Sequence, residues 1–171
     1  VENIDSYGML TGLTPEKKLE RVLSRYRRMY SPAIGTGPVM DYLGQTGLDA
    51  LKGADILSVA PTNYTSETEY ANSSVGSKLK GIAQIHLADL GSRIFYLDHS
   101  GFDTHADQVG THARLWTEVS TAIRDFFDDL EAHGAADNVV MFLFSEFGRR
   151  VHDNGGGTDH GAGWVCLAIG K

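Results

Sequence analysis

The sequence predicts an α/β chain: a mostly parallel sheet flanked by helices, entered from a helical N-terminal half. Two observations carry this. A strongly amphipathic segment of about six turns, from Gly110 to His133, is bracketed by the short apolar runs Arg93–Leu97 and Val139–Phe144. The second run contains no polar residue, as expected of a strand covered on both faces. Strand, helix, strand in that order makes a βαβ unit, which joins parallel neighbours by a right-handed crossover.

The chain has 171 residues, 42% of them hydrophobic and 22% charged, enough to bury a core. A net charge of -7 argues against a nucleic-acid partner, and no apolar run is long enough to span a membrane. The local basic cluster of Lys17, Lys18, Arg21, Arg25, Arg27 and Arg28 reads as the solvated face of a helix. The single cysteine, Cys166, excludes an internal disulfide and a thiolate-rich zinc site. It sits in an apolar run and reads as a small buried hydrophobe. The missing initial methionine and the Gly170-Lys171 end, just after a strand-like run, read as a fragment of a longer protein.

The elements follow in order. Thr14-Pro15-Glu16 is a helix start, with a hydroxyl N-cap and a proline where its missing N–H costs nothing. Leu19, Val22, Leu23, Tyr26 and Tyr30 continue at helical spacing until Ser31-Pro32. A second helix spans about Val39 to Leu57, weakened by Gly44 and Gly47, and residues 60–74 form a polar loop. A third helix runs from about Val75 to Leu90, with His86 on its apolar face as a packed core histidine. The boundary at 76/77 separates a helical and loop segment (1–76) from an α/β core segment (77–171), both parts of one domain. In the long helix, Leu115, Val119, Ile123, Phe126, Phe127 and Leu130 share one face, while Glu118, Arg124, Asp128, Asp129 and Glu131 point outward. A last strand covers Trp164–Ile169.

Sites in open parallel sheets form beyond the carboxyl ends of the strands. Three polar segments fall at or near such ends: Asp98 to Gln108, Ser145 to Arg150, and Asp153 to Gly161. Any one alone reads as an ordinary turn or cap; three on one sheet edge point to a site. Asp, Glu and His without soft sulfur suit zinc or manganese, and two such ions about 4 Å apart activate ester hydrolysis. Asp103, His105, Glu146, Asp159 and His160 are the candidate ligands. Arg149 and Arg150 match the oxygens of an anionic ester. Gln108 and His112 lie close enough in sequence to line the site, and His99 is a candidate for its outer layer. His133 reads as a helix C-terminal residue that favours the dipole.

Gly101-Phe102-Asp103-Thr104-His105 with Gln108, then Ser145-Glu146-Phe147-Gly148-Arg149-Arg150, then Gly157-Thr158-Asp159-His160-Gly161 resembles the domain of unknown function 1501 family. That bacterial family is grouped with the alkaline phosphatase and sulfatase superfamily. The resemblance implies an alkaline-phosphatase-like sheet, one or two divalent ions (Zn, Mn, Ca or Mg) and hydrolysis of a phosphate or sulfate ester, the substrate being a small molecule or glycan. By motif order, Asp103 and His105 look like a first ligand pair, Glu146 the acidic member of a second motif, and His160 a late ligand. A rival alignment takes Thr158-Asp159-His160-Gly161 as the second motif. Phe147 stands where a second-motif histidine is expected, which would remove one ligand. Arg149 and His112 are the catalytic candidates in this chain, and Arg149, Arg150 and Gln108 the substrate contacts. The superfamily nucleophile belongs to an earlier strand-to-helix turn, so the resemblance implies a missing N-terminal half as partner and an inactive fragment. The alternative is a degenerate, non-catalytic member that binds an anionic ligand or a protein. Export signals common in the family imply a periplasmic or cell-envelope location.

Overall fold

The computed structural model describes residues 16–170, and most of them are helical. Helix α1 spans Glu16–Tyr30, a 3-10 turn follows at Ser31–Ala33, and α2 spans Pro38–Asn63. Helix α3 covers Ser74–Leu87 and α4 covers Gln108–Ala132, with a second 3-10 turn at Ala136–Asn138. Four short strands close the chain: β1 (Val140–Leu143), β2 (Arg149–Asp153), β3 (Thr158–His160) and β4 (Leu167–Gly170). The described residues divide into two compact units, one holding those up to Tyr64 with Gln84–Phe95, the other holding Thr65–Ala83 and those from Tyr96 on.

In the first unit, Thr14 and Pro15 of the expected start signal lie outside the described residues, and α1 is in place from Glu16. Its end packs on α2 through glycines. A Cβ on Gly47 would come within 2.6 Å of the Tyr30 ring, and one on Gly44 within 2.9 Å of the Tyr30 carbonyl. Each glycine lowers helix propensity by about 1 kcal/mol, and this close approach is what they permit. Helix α2 also runs past Leu57, with Pro61 inside its last turns, so the polar loop starts later than the sequence implies. His86 meets Phe95 edge to face, with centroids 6.5 Å apart.

In the second unit, Val75, Leu79, Ile82 and Ala83 of α3 and Leu115, Val119, Ala122, Phe126 and Leu130 of α4 are buried. Burying a side chain of this size is worth roughly 1.5–3 kcal/mol, so these faces fix the long helix that leads out of the candidate site. Asp129, expected outward, is instead fully buried. A buried carboxylate requires partners, and it has them: Ser66 Oγ donates at 2.5 Å and Tyr70 Oη at 2.8 Å. One turn earlier, Asp125 accepts from the Ala71 amide at 3.0 Å. The polar segment after Tyr64 is thus pinned along α4.

The predicted parallel sheet does not form. β1 pairs antiparallel with β4, from Val140↔Gly170 to Leu143↔Leu167. β2 pairs antiparallel with β3 in a separate two-stranded sheet. Arg93–Leu97 forms no strand, so among the described residues α4 has no strand before it to cross over from. Between β1 and β4 lie only loops and the β2–β3 pair. Without a crossover helix, the chain returns beside β1 in the opposite direction. Nor is β1 covered on both faces, since Val140 and Phe142 are each 63% exposed. A short apolar run does not by itself specify burial or strand direction. The α/β class and the alkaline-phosphatase-like or sulfatase-like sheet are therefore corrected to a mostly helical chain with two small antiparallel sheets. Cys166, expected inside, is exposed.

Candidate metal centre

Three of the predicted ligands converge. Asp103 and His105 come from the irregular segment before α4, and His160 ends β3. His160 Nε2 lies 2.7 Å from Asp103 Oδ1, and His105 Nδ1 lies 3.6 Å from the same oxygen. The two imidazole rings are 5.0 Å apart. One donor atom from each residue falls within 4.8 Å of the others, and among the described residues this is the one such group of three or more. Ligands on a common ion about 2.1 Å away lie roughly 3–3.5 Å from each other, and the two contacts to Asp103, at 2.7 and 3.6 Å, fall on either side of that range. Two imidazoles and one carboxylate suit a borderline divalent metal, and three protein ligands leave coordination positions for an outside oxygen.

Glu146 and Asp159 stand outside this group. Glu146 is exposed in the bend after β1. Asp159 alternates with His160 along β3, and its carboxylate accepts from Asn154 Nδ2 at 3.1 Å. His112 sits one turn into α4, its Nε2 2.9 Å from Thr104 Oγ1 and 3.3 Å from the Phe102 carbonyl. That contact steadies the residues on either side of Asp103. Gln108, the first residue of α4, accepts from Thr158 Oγ1 at 2.9 Å, and its amide donates to Gly156 at 3.1 Å. His99 lies 3.7 Å from Glu118 and edge-on to Phe102, and is not one of the grouped donors.

Arg149 and Arg150 are adjacent on β2 and therefore face opposite ways. The Arg149 side chain is only 15% exposed. It donates from Nη1 to the carbonyls of Thr104, at 2.6 Å, and Thr158, and from Nη2 to that of Phe102, at 2.7 Å. Arg150 is exposed. Phe147 stacks on His160, with centroids 4.5 Å apart and planes 13° from parallel.

Asn154 also supports the site, a role its residue type alone does not announce. Its amide donates to the His105 carbonyl at 3.1 Å and to Asp159, while its oxygen accepts from the amides of Gly156 and Gly157. The signal was there in Asp153-Asn154-Gly155, since asparagine before glycine caps its own turn. Gly157 permits the close approach, because a Cβ there would lie 3.0 Å from the His105 carbonyl.

The Asp103 carboxyl is held below the usual carboxylate range, first by the hydrogen bond from His160 and then by the charges of His160, His105 and Arg149. It is thus ionised, as a metal ligand must be. No helix among the described residues is long and apolar enough to cross a membrane.

Comparisons with the curated proteins and with the solved structures gave no match. The family model described as a protein of unknown function, DUF1501, matches residues 55–170. That stretch is more than half of the chain and contains all three donors, so the chain belongs to the DUF1501 family.

Proposed function

We propose that the chain holds one divalent metal ion on Asp103, His105 and His160 and serves the hydrolysis of a phosphate or sulfate ester. The convergence of the three donor atoms within 4.8 Å carries the reading. A divalent ion supplies a Lewis acid for the ester oxygen and lowers the pKa of water toward neutrality. The residues do the rest. Asp103 and the two histidines orient the ion and leave its outward side open, for each is about half exposed. Arg149, 3.8 Å from Asp103 Oδ1, offsets the carboxylate charge, which keeps the site attractive to an anion.

The same openness supports a second reading, a metal-dependent anion-binding surface without turnover. Assaying the zinc- or manganese-loaded protein against aryl phosphate and aryl sulfate monoesters separates the two. Steady turnover that disappears in His160→Ala supports hydrolysis. Metal uptake with no turnover on either ester class supports binding alone.

A further inference from the structure

We propose that Arg149 is the positioning residue of this metal site, clamping the Asp103–His105 segment against β3, and not a contact for the anionic ligand. The inference rests on the metal-binding reading above. Phe102 and Thr104 flank Asp103, and Thr158 lies two residues before His160. The Arg149 guanidinium donates to all three of these carbonyls, so one side chain ties together the two chain segments that bring the ligands. The strand register explains why Arg149 is placed to do so: it pairs with His160 across the β2–β3 ladder, and directly opposed residues share a face.

The remaining surroundings agree. The guanidinium carbon lies 5.2 Å from the centre of the Phe147 ring, and that ring stacks on His160. Arg149 thereby fixes the backbone on both sides of Asp103 directly and backs the His160 imidazole through Phe147. With its donors committed to carbonyls and its side chain mostly buried, it presents little to an outside ligand. Arg150 is exposed, and its side chain makes no hydrogen bond or ion pair among the described residues. It lies on the opposite face of β2 from Arg149. A planar fork of five donors is needed to serve three carbonyls at once, and a lysine ammonium lacks that geometry.

The test titrates zinc into the protein by calorimetry for the native chain, Arg149→Met, Arg149→Lys and Arg150→Met, and follows amide hydrogen exchange in the metal-free forms. Arg149→Met is expected to weaken zinc binding about 10–100-fold, the usual cost of an outer partner. Arg149→Lys should recover only part of that, and Arg150→Met should leave zinc affinity unchanged. In the metal-free Arg149→Met protein, exchange should quicken at residues 102–108 and 158–160 but not at the buried turns of α4. Native zinc affinity in Arg149→Met overturns the proposal, as does loss of sulfate affinity there with zinc affinity intact. If the native chain itself takes no zinc, the metal reading fails, and exchange decides the clamp alone: local quickening supports it, and unchanged or uniformly raised exchange overturns it.

Discussion

His160 Nε2 stands 2.7 Å from Asp103 Oδ1 across 57 positions of sequence, joining the segment before α4 to the end of a strand that follows β1. Neither residue is buried, so the pairing does not come from core packing. It is set by the ties around it: Arg149 to the carbonyls flanking Asp103, Asn154 to His105, and Gln108 to Thr158. These surrounding contacts hold the site.

Gly148 is where the β2–β3 pair tolerates least change. A Cβ there would meet the carbonyl oxygen of Gly161 and lie 2.9 Å from that of Gly163, and both are backbone atoms in the same network. Gly148→Ala is expected to cost about 1–3 kcal/mol by overpacking, read by urea unfolding. Zinc affinity should fall with it, because His160 sits on the strand that must move.

Asn154 joins two segments through four hydrogen bonds. Asn154→Ala should lower zinc affinity about 10-fold or more while leaving the helical circular dichroism unchanged. Competition against a chromophoric zinc chelator measures the first. Full native affinity in this variant would show that the turn holds its shape without the side chain.

Asp129 is the buried acceptor for Ser66 and Tyr70. Asp129→Ala strands those donors, each at about 1–3 kcal/mol, and should destabilise the protein by on the order of 3 kcal/mol in urea unfolding. An effect below about 0.5 kcal/mol, ordinary for a surface position, would contradict this account of the segment after Tyr64.

His133 gives the chain a pH dependence of definite sign. Its ring nitrogens lie 2.8 Å from the Asp129 carbonyl and 2.9 Å from the Thr65 carbonyl, and only the protonated ring donates from both. The Asp129 carbonyl, then the Thr65 carbonyl and the Asp129 charge, raise its pKa above the ordinary 6.5. A raised folded pKa gives stability that is fully present below the unfolded value and lost as pH rises through the folded one. The stability difference between the native chain and His133→Gln should therefore be larger at pH 5.5 than at pH 8.5. A difference that grows with pH would reverse the assignment.

The helices were legible because their signals are local. The 3.6-residue period of α4 and the Gly134 stop, which has φ +66°, are written in consecutive residues. The glycines of α2 look like weaknesses in sequence because their partner, Tyr30, lies on another helix. The helical period alone turns Asp129 outward, and its acceptor role depends on Ser66, 63 positions away. Strand pairing failed for the same reason: apolar runs such as Val139–Phe144 do not encode which strand lies beside them or in which direction. At the site, residue chemistry named Asp103, His105, Glu146, Asp159 and His160, of which three converge, while telling inward Arg149 from exposed Arg150 needs the pleat of β2.

The most direct measurement is zinc per chain after equilibrium dialysis, determined by inductively coupled plasma mass spectrometry for the native protein and for Asp103→Ala/His160→Ala. One equivalent in the native protein and none in the double variant is the predicted result. An empty native protein, or equal zinc in both, would contradict a metal centre built on these residues.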